Sequence, residues 1–204
     1  MEPLRMGILG AARITELALI KPAKITGTRL VAVAARDTAR ATAFAELHGI
    51  DRVHASYLDV INDPEVEAIY NPLSNSLHAP WNKAALAAGK HVFTEKPSAS
   101  NCAEAQGVAA QAGTTDRQFF EGFHYLWHPL IIRLHEILAN GEIGELHHVE
   151  TVMDMPAPDA AEGPDVRVTP LGRPALVFSP YYRAGGRRDR TWRLTWMPLA
   201  PESK

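Results

Sequence analysis

A single cysteine, Cys102, stands in this chain of 204 residues. One cysteine cannot close an intrachain disulfide, and a thiolate metal cluster needs several. An excess of one charge is also missing: 21 Lys and Arg against 23 Asp and Glu leave a formal net charge of −2. That balance gives no electrostatic reason to expect a nucleic acid or an anionic membrane as partner. No apolar run approaches the roughly 20 residues of a bilayer-spanning helix. The opening Met1-Glu-Pro-Leu-Arg-Met6 carries no apolar core of the secretory kind. These absences make a cytoplasmic globular protein the expectation. The 46% hydrophobic and 22% charged residues are ordinary for one, and the length suffices for one full domain and part of a second.

What is present alternates between strand and helix patterns. Leu4 to Leu9 reads as a strand broken by Gly10, and Arg13 to Ile20 as a helix expected to stop before Pro22. Thr28 to Ala35 is an apolar run of buried-strand length; Asp37 or Thr38 can cap the alanine-rich helix after it, and Gly49 can end that helix. Arg52 to Ala55 is a short strand, Ser56 to Val60 a short capped helix, Glu67 to Tyr70 a strand and His78 to Ala88 a helix. His91 to Thr94 is a strand that Pro97 stops by Lys96, followed by a helix from about Asn101 to Ala112 and a strand over Gln118 to Gly122. This alternation predicts an α/β protein with a parallel, doubly wound sheet.

Beyond it, Leu130, Ile131, Leu134, Ile137 and Leu138 recur at helical spacing within His128 to Leu138, and Leu146 to Met153 reads as a strand opening a second domain. The character changes near Pro156. Residues 156–204 hold eight of the 15 prolines and none of the nine histidines, with little periodicity apart from Ala175 to Phe178. The expected organisation is an α/β domain over 1–125, the start of a second, α+β domain over 126–155, and a divergent, poorly ordered tail over 156–204.

Five stretches can carry chemistry. Gly10-Ala-Ala-Arg-Ile14 falls where a strand turns into a helix, the place where a dinucleotide pyrophosphate meets a helix N-terminus. Ala12 and Thr15 fill the second and third positions of a G-x-G-x-x-G pattern, and the alternative is a tight turn that binds nothing. Arg36 stands near the end of the second strand, where a ribose-binding carboxylate is otherwise expected; an arginine suits a 2′-phosphate, so NADP is favoured and NAD stays possible. The alternative is an exposed arginine beside a capping Asp37. Asn71-Pro-Leu-Ser-Asn75-Ser-Leu-His78 is a polar loop at a strand end, from which Leu73, Asn75 and His78 can reach the nicotinamide ribose; turn chemistry for Asn75 and a surface place for His78 are the alternatives.

Glu95 and Lys96 end the His91–Thr94 strand, where open α/β sheets bind ligands. A lysine there can orient a hydroxyl or pass its proton; a surface ion pair is the alternative. The last stretch is Glu121-Gly-Phe-His124-Tyr125-Leu-Trp-His128, from which His124 and Tyr125 can face a substrate, while Phe123 and Trp127 read as core aromatics. His147 and His148 alternate faces on a strand, so no metal site is expected of them.

Met6-Gly-Ile-Leu-Gly-Ala-Ala-Arg-Ile14, Tyr70-Asn-Pro-Leu-Ser-Asn-Ser-Leu-His78 and Gly89-Lys-His-Val-Phe-Thr-Glu-Lys-Pro97 together resemble, in order and spacing, the Gfo/Idh/MocA oxidoreductases. The resemblance covers roughly residues 4–154. It implies an N-terminal Rossmann domain for NAD or NADP and a largely antiparallel C-terminal domain that acts on sugars, polyols or diols and builds the homo-oligomer interface. It also implies that Lys96, the lysine of Glu-Lys-Pro, lies near the nicotinamide and the reacting hydroxyl. Residues 156–204 depart from the pattern, with neither the glycine-rich turn nor the helix that carries the family's Asp and His. The acid/base histidine is therefore carried over onto no residue here, and His124 and Tyr125 are left as the candidates to assist Lys96. Little turnover and impaired dimerisation are expected of the chain alone.

Overall fold

The alternating pattern closes into one parallel sheet. The computed structural model describes residues 2–145, 177–181 and 191–195. Six strands, β1 (Arg5–Leu9), β2 (Arg29–Ala34), β3 (Arg52–Val53), β4 (Ala68–Asn71), β5 (His91–Thr94) and β6 (Phe119–Glu121), lie in the order β3-β2-β1-β4-β5-β6. Every neighbouring pair is parallel. That is the doubly wound Rossmann order, in which the direction of winding reverses between β1 and β4.

The apolar runs become strands because both faces of the sheet are covered. Successive residues alternate between two clusters: Ile8 and Val33 belong to one, Leu9 and Ala34 to the other. One cluster holds Leu19, Ile20 and Ala45 from the first two helices; the other holds Val60, Ile61, Leu86 and Val108 from the next three. Gly7 admits close approach, since a Cβ there would lie 2.6 Å from Cγ1 of Val60.

The helices are placed by their caps. In α2 (Thr38–His48) the Asp37 carboxylate accepts the Arg40 N–H, and Gly49 ends the helix at φ +68°. In α3 (Tyr57–Asn62) Ser56 accepts from the Asp59 N–H. Asn101 accepts from the Glu104 N–H to open α5 (Cys102–Gly113), and the Glu104 carboxylate accepts the N–H of Ser100, the residue before the cap.

Two boundaries differ from expectation. The first helix does not stop before Pro22: a π-helical turn, Glu16–Ile20, runs into α1 (Lys21–Thr26), which contains Pro22. The Lys21 N–H bonds to the Glu16 carbonyl, five residues back. This wider turn shifts the ladder just where a proline ring would meet the preceding turn. The other is α4 (Asn75–Ala87), which begins before His78 and carries Pro80 inside it, at the loss of the backbone bond that residue 80 would otherwise donate one turn back.

The chain divides into two compact units, Met1–Ile131 and Ile132–Lys204. A 3₁₀ turn, His124–Trp127, and α6 (Pro129–Ala139) follow β6, and Gly141 has φ +68° just past α6. In the second unit β7 (Val177–Tyr181) pairs antiparallel with β8 (Thr191–Thr195). The strand expected over Leu146 to Met153, the His147–His148 pair and the remainder of 156–204 lie outside the described residues. No helix among the described residues is long and apolar enough to cross a membrane.

Candidate functional site

The carboxyl ends of β1 and β4 meet at the reversal of winding. Gly10 turns the chain at φ +96° after β1, and its N–H donates to the Ala34 carbonyl at 2.6 Å. A Cβ at Gly10 would sit 2.9 Å from Cδ2 of Leu73. Two of the expected binding residues, Gly10 and Leu73, are thus brought together, and only glycine leaves room between them. Ala11 is buried, Ala12 half-buried, and Arg13 and Ile14 are exposed at the start of the helix. Thr15, in the third glycine position, is fully buried, with no hydrogen-bond partner for its hydroxyl among the described residues.

Arg36 is exposed past β2, and among the described residues no ion pair engages it. The capping role of Asp37 is met. Sequence reasoning passed over Arg40, whose Nη2 donates to the Ala11 carbonyl at 2.6 Å. Its guanidinium therefore stands at the Gly10 turn. The signal was its place one helical turn after Arg36, on the helix that Asp37 caps.

The Glu95-Lys96-Pro97 segment is fixed from both sides. Glu95 is 7% exposed, its N–H bonds to the Asn71 carbonyl at 3.0 Å, and its Oε1 accepts the Tyr70 hydroxyl at 2.8 Å. Burial pushes the Tyr70 phenol up from its ordinary range, and the Glu95 carboxylate pushes it further. Gly122 packs against this carboxylate: a Cβ there would lie 3.3 Å from the Thr94 carbonyl and 3.5 Å from Glu95 Oε2. The Lys96–Pro97 peptide is cis. Past it, Glu121 accepts both the Ser98 N–H at 2.8 Å and the Ser98 hydroxyl at 3.1 Å. Lys96, between these fixed points, is exposed.

His78 is not at the surface; it is 1% exposed. Its Nε2 lies 2.7 Å from the Leu73 carbonyl and its Nδ1 2.6 Å from the Pro97 carbonyl. A parallel chain of amides runs alongside. Asn71 donates to Asn82 Oδ1 at 2.8 Å and accepts the Leu73 N–H at 3.3 Å, while Asn82 donates to the Ser98 carbonyl at 3.2 Å. Asn82 and Glu121 had no assigned role in the sequence, because nothing local marks a side chain whose partner is the next strand's turn. Asn75 is exposed at the first position of α4.

His124 and Tyr125 are exposed on the 3₁₀ turn, Tyr125 against the Phe123 ring at a centroid distance of 5.8 Å. The core placement expected of Trp127 fails: the turn leaves it 75% exposed, while Phe123 is half-buried. Among the described residues no group of three His, Cys, Asp or Glu could hold a metal ion.

The residues present fit a dinucleotide. Gly10 keeps the turn free of a side chain at the head of a helix, as a pyrophosphate seat requires, and five positions on, the buried hydroxyl of Thr15 has no hydrogen-bond partner among the described residues. Fold and site together define a dinucleotide-binding Rossmann unit. The chain belongs to the Gfo/Idh/MocA oxidoreductase family: that family's profile, described as an oxidoreductase family with an NAD-binding Rossmann fold, matches residues 4–123. It is 39% identical over 153 residues to an uncharacterized oxidoreductase of Rhizobium meliloti, covering 74% of this chain and 46% of that one. To a D-xylose 1-dehydrogenase (NADP(+)) of Haloferax volcanii it is 35% identical over 167 residues, covering 82% and 50%. Among solved structures, KijD10, a 3-ketoreductase from Actinomadura kijaniata in complex with NADP, superposes with a TM-score of 0.63 at 34% identity, over 71% of this chain and 46% of that one. The chain thus spans about half the length of the relatives it matches.

Proposed function

We propose that this chain binds NADP(H) in preference to NAD(H) and serves hydride transfer between a carbinol carbon of a sugar, polyol or diol and the nicotinamide. The observation that carries the reading is the exposed Lys96 held between two anchored neighbours at the end of β5. The nicotinamide, when bound, supplies the hydride acceptor or donor. The chain's own residues do the rest. Gly10 to Ile14 seat the pyrophosphate, with Leu73 packed on Gly10 and Asn75 on the same loop. Arg36 meets the adenosine ribose 2′-phosphate, and Arg40 adds a second positive charge at that turn. Glu95 sets the Lys96 backbone through its bond with Tyr70, and His78 acts from beneath the same turn. Lys96 holds the alcohol oxygen and helps move its proton, work that depends on reacting distance: a misplacement of about 1 Å can cost ~10²-fold. His124 and Tyr125 stand as the side chains that assist it.

Support for NADP comes from the cation at the end of β2 and from relatives whose names include it. The relatives act on xylose or are 3-ketoreductases, which supports a carbohydrate-like substrate. A second reading, a nucleotide-binding module without turnover, is favoured by one observation: all the site residues assigned above fall within Met1–Ile131.

The test is calorimetric titration with NADP and NAD, then product analysis on aldoses, inositols and trans-diols. Turnover that disappears in Lys96→Ala, with cofactor affinity kept, supports the dehydrogenase. Binding without turnover on any of them selects the module. No binding of either cofactor removes both readings.

A further inference from the structure

Both carboxylate oxygens of Glu121 are engaged by one residue, Ser98: one accepts its backbone N–H at 2.8 Å, the other its hydroxyl at 3.1 Å. The remaining polar group of Ser98, its carbonyl, accepts from the Asn82 amide at 3.2 Å. The residue two positions past Lys96 thus has every polar group held, by β6 on one side and α4 on the other. Glu121 is half-buried, and among the described residues no cation pairs with it. A carboxylate drawn partly out of water needs donors in place of lost hydration, and a single serine of the neighbouring turn supplies both.

The same strand end touches the other flank of Lys96. Glu121 is paired with Thr94 in the β5–β6 register, and the next N–H, of Gly122, donates to the Thr94 carbonyl at 2.8 Å. Gly122 also packs on Glu95. Consecutive residues at the end of β6 therefore hold residues on each side of Lys96, and the chain then runs directly into His124 and Tyr125. We propose that Glu121 is a positioning residue for Lys96: through Ser98 it locks the turn that carries the lysine to the strand end that leads to His124 and Tyr125. The role rests on the reading of Lys96 as the group beside the nicotinamide.

Carbon-13 NMR of the full-length chain, with its lysines reductively dimethylated, tests the role without requiring turnover. The Lys96 methyl signal is assigned by its loss in Lys96→Arg. Its position is compared between the forms saturated with oxidised and with reduced NADP, whose nicotinamide rings differ by one positive charge. A shift between the two forms is expected in the parent, because the lysine senses that charge at close range. In Glu121→Ala, first shown to melt cooperatively, the shift is expected to collapse while NADP binding is kept. Glu121→Gln should restore it, since its amide oxygen can accept the Ser98 N–H and its NH2 can donate to the Ser98 hydroxyl. Where Glu121→Ala does not melt cooperatively, Glu121→Asp, one methylene shorter, takes its place. An undiminished shift in the folded variant overturns the positioning role and leaves the Lys96 reading intact. A collapse that Glu121→Gln does not relieve overturns it as well, as does a folded variant that no longer binds NADP, since the loss then lies in the cofactor seat. No shift in the saturated parent, or a parent that binds neither form, removes the Lys96 reading and this role together.

Discussion

Tyr70 donates its hydroxyl to Glu95 at 2.8 Å, and both residues are buried between β4 and β5. The pair connects the interior of the sheet to the residue preceding Lys96. A buried carboxylate in this position needs its donor, because a charge removed from water is costly without a hydrogen bond.

Tyr70→Phe is therefore expected to destabilise the chain by about 1.5–3 kcal/mol, the range for a hydrogen bond to a charged group. Urea denaturation measures it, and Glu95→Gln in the Tyr70→Phe background should recover part of the loss. The pH dependence has a definite sign. Burial, then Glu95, raises the Tyr70 phenol above its unfolded value. Its contribution is full below pH ~10, where unfolded tyrosine ionises, and is lost as pH rises beyond that.

At acid pH the Asp63 cluster contributes with the opposite sign. Burial raises the Asp63 carboxyl, but bonds from His54, the Glu65 N–H and Arg52 outweigh it, so the group is held below the carboxylate range. Stability from Asp63 is thus present above the unfolded value near pH ~3.9 and lost as pH falls through the lower folded value. Asp63→Asn should lower stability at pH 7 and flatten the acid limb of a Tm-against-pH curve.

Arg36→Ala is expected to weaken NADP binding about tenfold or more while leaving NAD nearly unchanged, since a charge-assisted bond to a phosphate contributes roughly 1.5–3 kcal/mol. Arg40→Ala should weaken both cofactors, because its bond to the Ala11 carbonyl braces the turn they share. Calorimetry with each cofactor separates the two patterns.

Gly7→Ala should cost about 1–3 kcal/mol as an overpacking change. The added methyl would lie 2.6 Å from Val60 Cγ1, inside a sheet buried on both faces. Val60→Ala is the rescue: the double variant should melt above Gly7→Ala alone.

Much of the unit was legible because its signals are local. Strand β5 matches its expected bounds, and Asp37, Ser56 and Asn101 cap the helices they precede. Pro22 misled because a proline normally ends a helix, and the compensating π turn leaves no composition signature. The backbone geometry of the candidate site was legible where a motif marks it, as in the Gly10 turn and the strand end before Lys96. The site was not legible where a contact depends on a side chain from another element. Arg40 reaches the Gly10 turn across 29 positions, and Glu121 reaches Ser98 across 23. His78 looked like a first-turn polar residue, and only the packing of two turns over it makes it interior.

The two bonds that Ser98 donates to Glu121, with the bond from Tyr70 to Glu95, have an entropic consequence for Lys96. Fixing one residue's backbone costs about 1–2 kcal/mol, and ordering a lysine side chain up to about 2 kcal/mol more. Folding has already met the first cost through its neighbours. A bound alcohol would have to order only the side-chain torsions, so the lysine can sweep for its partner from a fixed root.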